Sequence, residues 1–406
     1  MARPTSRLSR VLMTGPLAPF ADRYGLGLKE RGYTPHTTVN QLRQVARLSR
    51  WLVAGGFTVA ELNGERVEEF LAVQRAGGRH RASWSRPGLL FLLEMLRGLG
   101  VVAAEEPAVT DSPTDLLLAA YEHHLLAERG LATGTVRGYV RHALEFVVGL
   151  RTGGGLVGLT AAQVTGAVLR ESATLSVSAT QFFVAGLRSF LRFCFIEGLV
   201  EVDLSQAALA VTGRRHSSVP QGITKVDAQA LLGGCDRRST LGRRDYAVIL
   251  IMLRLGMRAS EVAGLKLDDI DWRSGELVVR GKGSREDRLP LPTDVGQAVA
   301  SYLRRGRPTS DRREVFLLAR APFSPVAAGT VSSTVRRACR RAGVAEVGAH
   351  RLRHTVACDM VSAGVPLVQI GQVLRHRSLQ STAIYARVDL DQLRQLARPW
   401  PGGAQA

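Results

Sequence analysis

The chain has 406 residues, 45% of them apolar, with 54 Lys and Arg against 35 Asp and Glu and a formal net charge of +19. That length exceeds one ordinary core and predicts two or three domains, while the apolar share argues against wholesale disorder. No uncharged apolar run reaches the about 18 residues of a membrane span, and the basic opening MARPTSRLSR lacks the pattern of a signal peptide. The cysteines Cys194, Cys235, Cys339 and Cys358 show no CxxC spacing. A disulfide framework or structural zinc site is therefore not expected, and a cytoplasmic protein is.

Two Pro/polar junctions, near Pro113 and at GRRHSSVP (213–220), divide the chain into 1–112, 113–213 and 214–406. Residues 1–112 read as a helical bundle. The run TTVNQLRQVARLSRWLV (37–53) has helical periodicity, with Thr37 where an N-cap would lie. A shorter helix opens at Leu62-Asn63, and LLFLLEMLRGLG forms a last apolar helix closed by glycine. Residues 113–213 repeat the scheme about 98 residues later. Glu30-Arg31-Gly32 meets Glu128-Arg129-Gly130, Thr37 meets Thr135, Arg43 meets Arg141, and Gly100-Val101-Val102 meets Gly198-Leu199-Val200. The counterpart helices are TVRGYVRHALEFVVGL (135–150), one opening at Leu159-Thr160, and FFVAGLRSFLRFCFIEG. The glycine-rich RTGGGLVG (151–158) lacks the GK[ST] ending of a phosphate loop and reads as a linker.

The last segment carries most of the excess charge, 32 basic against 17 acidic residues, a net +15. A concentrated positive field favours nucleic acid through phosphate neutralisation. Residues 223–264 read as helices. The runs ELVVRG and DRLPLP flank a GKGSRE turn, a β-hairpin signature. Helical patterns resume at 294–306, 328–343, 349–364, 366–375 and 378–386. The predicted fold class is mainly α with a small antiparallel β-sheet. Only four basic residues are lysine, at Lys29, Lys225, Lys266 and Lys282, and one of them falls at the hairpin.

Within this segment LRLGMRASEVAGLKLDDID (253–271) holds Arg258 followed by Glu261. HRLRHTVACDMVSAGV (350–365) holds His350 and Arg353, three apart and so on one helical face. IGQVLRHRSLQSTAIYARV (370–388) holds His376 and, nine residues later, Tyr385. With Lys282 on the hairpin, this ordered set resembles the tyrosine recombinase (phage integrase) family over about 175 residues. The resemblance implies that 214–406 is an α+β catalytic domain and 113–213 a core-binding, SAM-like helical domain. It implies that 1–112 is an additional DNA-binding arm. One departure is visible: Arg375 stands before His376, where the family usually has glycine.

The residue types fit phosphoryl transfer on their own terms. Tyrosine offers a phenolic oxygen able to form a phosphoester, but its free pKa near 10 calls for help from neighbours. The guanidinium forks of Arg258 and Arg353 match phosphate oxygens. His350 and His376 suit the same phosphate or proton transfer near neutral pH. Lys282 suits delivery of a proton to a departing hydroxyl. Glu261 is expected to orient Arg258. His350 and His354 form an i, i+4 pair, but Arg351 follows His350 where a zinc protease has glutamate, so no metal is expected. His354 is expected to pack or cap.

The resemblance implies a site-specific recombinase working through a 3′-phosphotyrosine, with no cofactor and no metal. Its implied partners are double-stranded DNA bearing a recombination site, a homotetramer in synapsis, and sister recombinases or DNA-bending proteins as helpers. The tail DLDQLRQLA (389–397) is expected to pack on a neighbouring protomer. Two rivals are a DNA-binding protein with a relic site and a type IB-like topoisomerase.

Overall fold

The computed structural model describes residues 11–76, 86–103, 112–150, 156–213, 221–281, 286–376 and 378–387. Lys282, the start of RTGGGLVG, most of the GRRHSSVP linker and the tail at 389–397 lie outside the described residues.

The first bundle contains α1 (Ala21–Glu30), α2 (Pro35–Ala54), α3 (Gly64–Ala76) and α4 (Arg86–Gly98). Helix α2 begins earlier than the Thr37 cap expected from sequence. Pro35 takes the first turn, where its missing N–H costs nothing, and the Thr34 hydroxyl accepts from the Thr37 N–H at 3.3 Å. The apolar faces of the four helices bury Tyr24, Leu28, Leu48, Phe70, Leu89 and Leu92 completely.

The second bundle contains α5 (Pro113–His123), α6 (Thr133–Leu150), α7 (Ala161–Thr174) and α8 (Val177–Ile196). Thr160 and Gln163 form a reciprocal capping box at the start of α7. Helix α8 is long and apolar enough to cross a membrane by length and composition, yet half of it is buried within the protein. Phe183, Leu187, Phe190 and Leu191 fill the bundle core, which makes it a core helix.

The cores of the two bundles correspond. The Tyr24 hydroxyl donates to the Gly88 carbonyl at 3.0 Å, and the Tyr121 hydroxyl donates to the Gly186 carbonyl at 3.3 Å. Leu28 and Leu125 are both fully buried one turn further on. Gly32 and Gly130 close the matching turns with positive φ, as do Gly100 and Gly198. The spacing of these pairs is the spacing of the sequence repeat.

Residues 1–104 and 218–406 form one compact unit, and 105–217 form another. Within the first unit, Phe323 lays its ring against Gly32 so closely that no Cβ fits there.

The last segment holds α9 (Lys225–Gly233), α10 (Thr240–Leu255), α11 (Ala259–Ala263), β1 (Ile270–Asp271), β2 (Glu276–Arg280) and β3 (Glu286–Pro290). It continues with α12 (Thr293–Arg305), α13 (Ala328–Ala342), α14 (Ala349–Ser362), α15 (Leu367–Val373), α16 (Leu379–Ala383) and a 3₁₀ turn at Ile384–Arg387. Helix α10 is the axis of the core and touches α9, α12, α13 and α14. Strands β2 and β3 form the expected hairpin, with Leu277 opposite Leu289 and Val279 opposite Asp287. Leu277 and Val279 point into the core, with Val278 and Arg280 on the other face. The short strand β1, not expected from sequence, completes an antiparallel sheet in the order β1-β2-β3.

Candidate active site

Gly256 ends α10 in the left-handed region, φ 57°, where a side chain would strain the backbone. A Cβ there would also meet Leu374 at 2.7 Å. This turn places Arg258 at the N-cap of α11. Glu261, in the first turn of that helix, accepts the Arg258 backbone N–H at 2.8 Å and its guanidinium at 2.6 Å. Glu261 thus holds Arg258 by both its backbone and its side chain. Arg258 remains 41% exposed while Glu261 is only 3% exposed, so the cation is the member of the pair that reaches solvent.

Arg375 makes the same carboxylate the centre of a triad in which Arg375 and Glu261 are buried. Its Nη2 lies 2.8 Å from Glu261, and its side chain is 4% exposed. Its backbone has φ 56°, the left-handed region that glycine occupies without cost. The departure noted from sequence thus sits at a turn that favours glycine. Burial opposes ionisation of Glu261, but Arg375 and Arg258 outweigh it and hold the carboxyl below its usual range.

Arg353 on α14 is almost completely buried. Its Nη1 donates to the Gly256 carbonyl at 2.6 Å, and its Nη2 donates to the Leu374 carbonyl. One guanidinium therefore ties together the two turns that carry Arg258 and Arg375-His376. Burial, and then the nearby Arg258 and Arg375, pushes Arg353 down to about 10.

Two histidines, His354 and His376, lie against the tyrosine, and a third, His350, packs on His354. The rings of His350 and His354 meet edge to face with centroids 4.2 Å apart. The His376 ring lies parallel to Tyr385, centroids 6.4 Å apart, and its Nδ1 is 2.7 Å from the Thr382 hydroxyl. Tyr385 itself is buried, with its hydroxyl 2.6 Å from Nδ1 of His354. His354, expected only to pack or cap, is thus the side chain in contact with the Tyr385 hydroxyl. Its i, i+4 relation to His350 was visible in sequence, but its partner lies 31 residues away and was not.

Burial lowers His350, helped by Arg353 and Arg258. Burial followed by Arg353 and Arg258 takes His376 to about 4. Tyr385 is pushed up to about 12 by burial, with Arg353 pulling the other way. Tyrosine and histidines are therefore neutral near pH 7, beside cations that lower the histidines and Arg353. An anion placed among them would reverse that depression. The site is chemically suited to hold a phosphate diester beside a phenol. Among the described residues no three His, Cys, Asp or Glu side chains gather as a metal site. Arg258, Glu261, His350, Arg353, His376 and Tyr385 come together, whereas Lys282 lies outside the described residues.

Residues 221–391 match the model of the phage integrase family. An integrase/recombinase of Sinorhizobium fredii, y4rA, is 40% identical over 401 residues, covering 96% of each chain. The tyrosine recombinase XerD of Mycobacterium tuberculosis is 32% identical over 320 residues, covering 71% of this chain and 96% of its own. Among solved structures, XerH site-specific recombinase bound to palindromic difH substrate shares the fold, with a TM-score of 0.56. Its identity is 18%, covering 71% of this chain and 84% of that one.

Proposed function

The chain belongs to the tyrosine recombinase (phage integrase) family, enzymes that cut and rejoin DNA strands, and from that premise we propose a site-specific recombinase working through Tyr385. The observation that carries the proposal is a buried tyrosine whose hydroxyl meets His354, in a site that also gathers His350, His376 and a cluster of arginines. Tyr385 attacks the scissile phosphate and forms a 3′-phosphotyrosine, releasing a 5′ hydroxyl. Arg258, His350 and His376 stabilise the non-bridging oxygens. Arg353 contributes charge and holds their two turns in place. Lys282 protonates the leaving 5′ oxygen. The 5′ hydroxyl of a second duplex then attacks the phosphotyrosine, so bond energy is conserved and neither ATP nor a metal is required.

On this reading 214–406 is the catalytic domain, 113–213 the core-binding domain and 1–112 an additional DNA-binding arm. The shared tyrosine-to-glycine bond of the two bundles supports a duplicated origin for the arm. Two duplexes imply four protomers, and the tail at 389–397 would couple them. The chain acts in the cytoplasm, on the DNA of a mobile element. The net positive charge predicts DNA binding that weakens steeply with salt.

A nicked suicide duplex carrying the true site tests the chemistry. A covalent adduct in the wild type that is lost in Tyr385→Phe is expected, and a wild type without adduct refutes it. A plasmid with two sites separates the topoisomerase alternative: deletion or inversion is expected, and relaxation alone contradicts recombination.

A further inference from the structure

Of the three histidines in the site, His354 is the one that touches the Tyr385 hydroxyl. The Nδ1-to-Oη distance is 2.6 Å, and the rings meet at a steep angle with centroids 5.6 Å apart. Nδ1 of His376 is engaged with Thr382, and His350 packs edge to face against His354. We propose that His354 is the catalytic proton acceptor for Tyr385. As Oη bonds to phosphorus, its proton passes to Nδ1 of His354 and the bond from phosphorus to the 5′ oxygen breaks. The departing oxygen takes a proton from Lys282. On rejoining, the attacking 5′ hydroxyl gives its proton to the neutral Lys282 as it bonds to phosphorus, and Nδ1 returns its proton to Oη as the phosphotyrosine bond breaks. The inference rests on the phosphotyrosine reading above.

The surroundings suit this role. Burial, then His350, Arg351 and Arg353, takes His354 down to about 4. The ring is therefore neutral at neutral pH and has one nitrogen able to accept a proton. The groups facing the pair are His350, Arg351, Arg353 and Cys358 on α14, with the His376 ring lying parallel to the tyrosine. A new proton on His354 is disfavoured among these cations until a phosphate anion lies between them. The transfer is thereby coupled to substrate binding. His350, already used on the phosphate, packs behind His354.

Adduct formation on the nicked suicide duplex, timed between pH 6 and 9, tests the proposal. His354→Asn keeps a polar atom near the Nδ1 position but cannot take up a proton. We expect wild type to vary little over this range. His354→Asn should be slower at pH 7 by roughly 100-fold, within the span of general base catalysis, and should speed up as hydroxide replaces the base. In His354→Ala, added imidazole should restore part of the rate. Melting temperature and DNA affinity, measured alongside, identify variants that fold. A His354→Asn enzyme with the wild-type rate, or one slowed equally at every pH, overturns the proposal. So does a folded His354→Ala enzyme that imidazole does not rescue. A wild type without adduct, or a Tyr385→Phe enzyme with one, instead removes the phosphotyrosine reading and this inference with it.

Discussion

Tyr24 and Tyr121 in the two helical bundles and Tyr385 in the last segment are all buried, and they are used differently. Tyr24 and Tyr121 donate to helix carbonyls of Gly88 and Gly186, groups that cannot take up a proton. Burial raises both phenols well above their ordinary range. Tyr385 is as well buried, yet its hydroxyl faces an imidazole amid guanidinium groups. Burial alone makes a phenol inert and structural. What separates Tyr385 is a basic partner and nearby cations that an anion can exploit.

The comparison is sharpest at the tyrosines themselves. Tyr385→Phe should abolish covalent adduct, a loss of more than about 1,000-fold, while Tyr24→Phe and Tyr121→Phe retain it. Denaturing gels of the trapped complexes read all three. Arg353→Ala should come next. It removes charge and releases the Gly256 and Leu374 carbonyls, so adduct formation and melting temperature should fall together. Glu261→Gln should cost about 3 kcal/mol at pH 7, because it leaves the buried Arg375 without its counter-charge. Glu261 has a lowered folded pKa, so its contribution is present above its unfolded value and lost as pH falls through the folded one. Urea titrations of wild type and variant should therefore converge in acid.

The histidines run the same way with pH for a different reason. His354 and His376 resist protonation when folded, at about 4, whereas the unfolded chain protonates them near 6.5. The unfolded state then binds more protons between these values, and stability should fall as pH drops from about 6.5 toward 4. Melting scans should show a weaker acid dependence in His376→Asn. The smallest effects belong to the bundles. Tyr24→Phe and Tyr121→Phe should each cost about 1 kcal/mol, the worth of one hydrogen bond. Unequal costs would break the equivalence of the two cores.

Much of this was legible in the residues. Helical periodicity marked the bundles, and the turn at GKGSRE with its β-prone flanks marked the β2–β3 hairpin. The repeat was visible in surface and turn residues such as Arg31-Gly32 and Arg129-Gly130, although the buried Tyr24 and Tyr121 express it more directly. Arg258, His350, Arg353, His376 and Tyr385 stood out through their ordered spacing. Long-range contacts did not. Glu261 meets Arg375 across 114 residues, and His354 meets Tyr385 across 31. A periodicity argument places a residue on a helix face but does not say what packs against that face. Thr34 rather than Thr37 caps α2 because Pro35 extends the helix by two residues before Thr37.

The central claim is that Tyr385 forms the covalent bond to DNA. Trapped adduct can be digested with nuclease and protease and the modified peptide sequenced by mass spectrometry. We predict a nucleotide joined through its 3′ phosphate to Tyr385, with a free 5′ hydroxyl on the released strand. A nucleotide on any other residue, or a linkage through a 5′ phosphate, would contradict it.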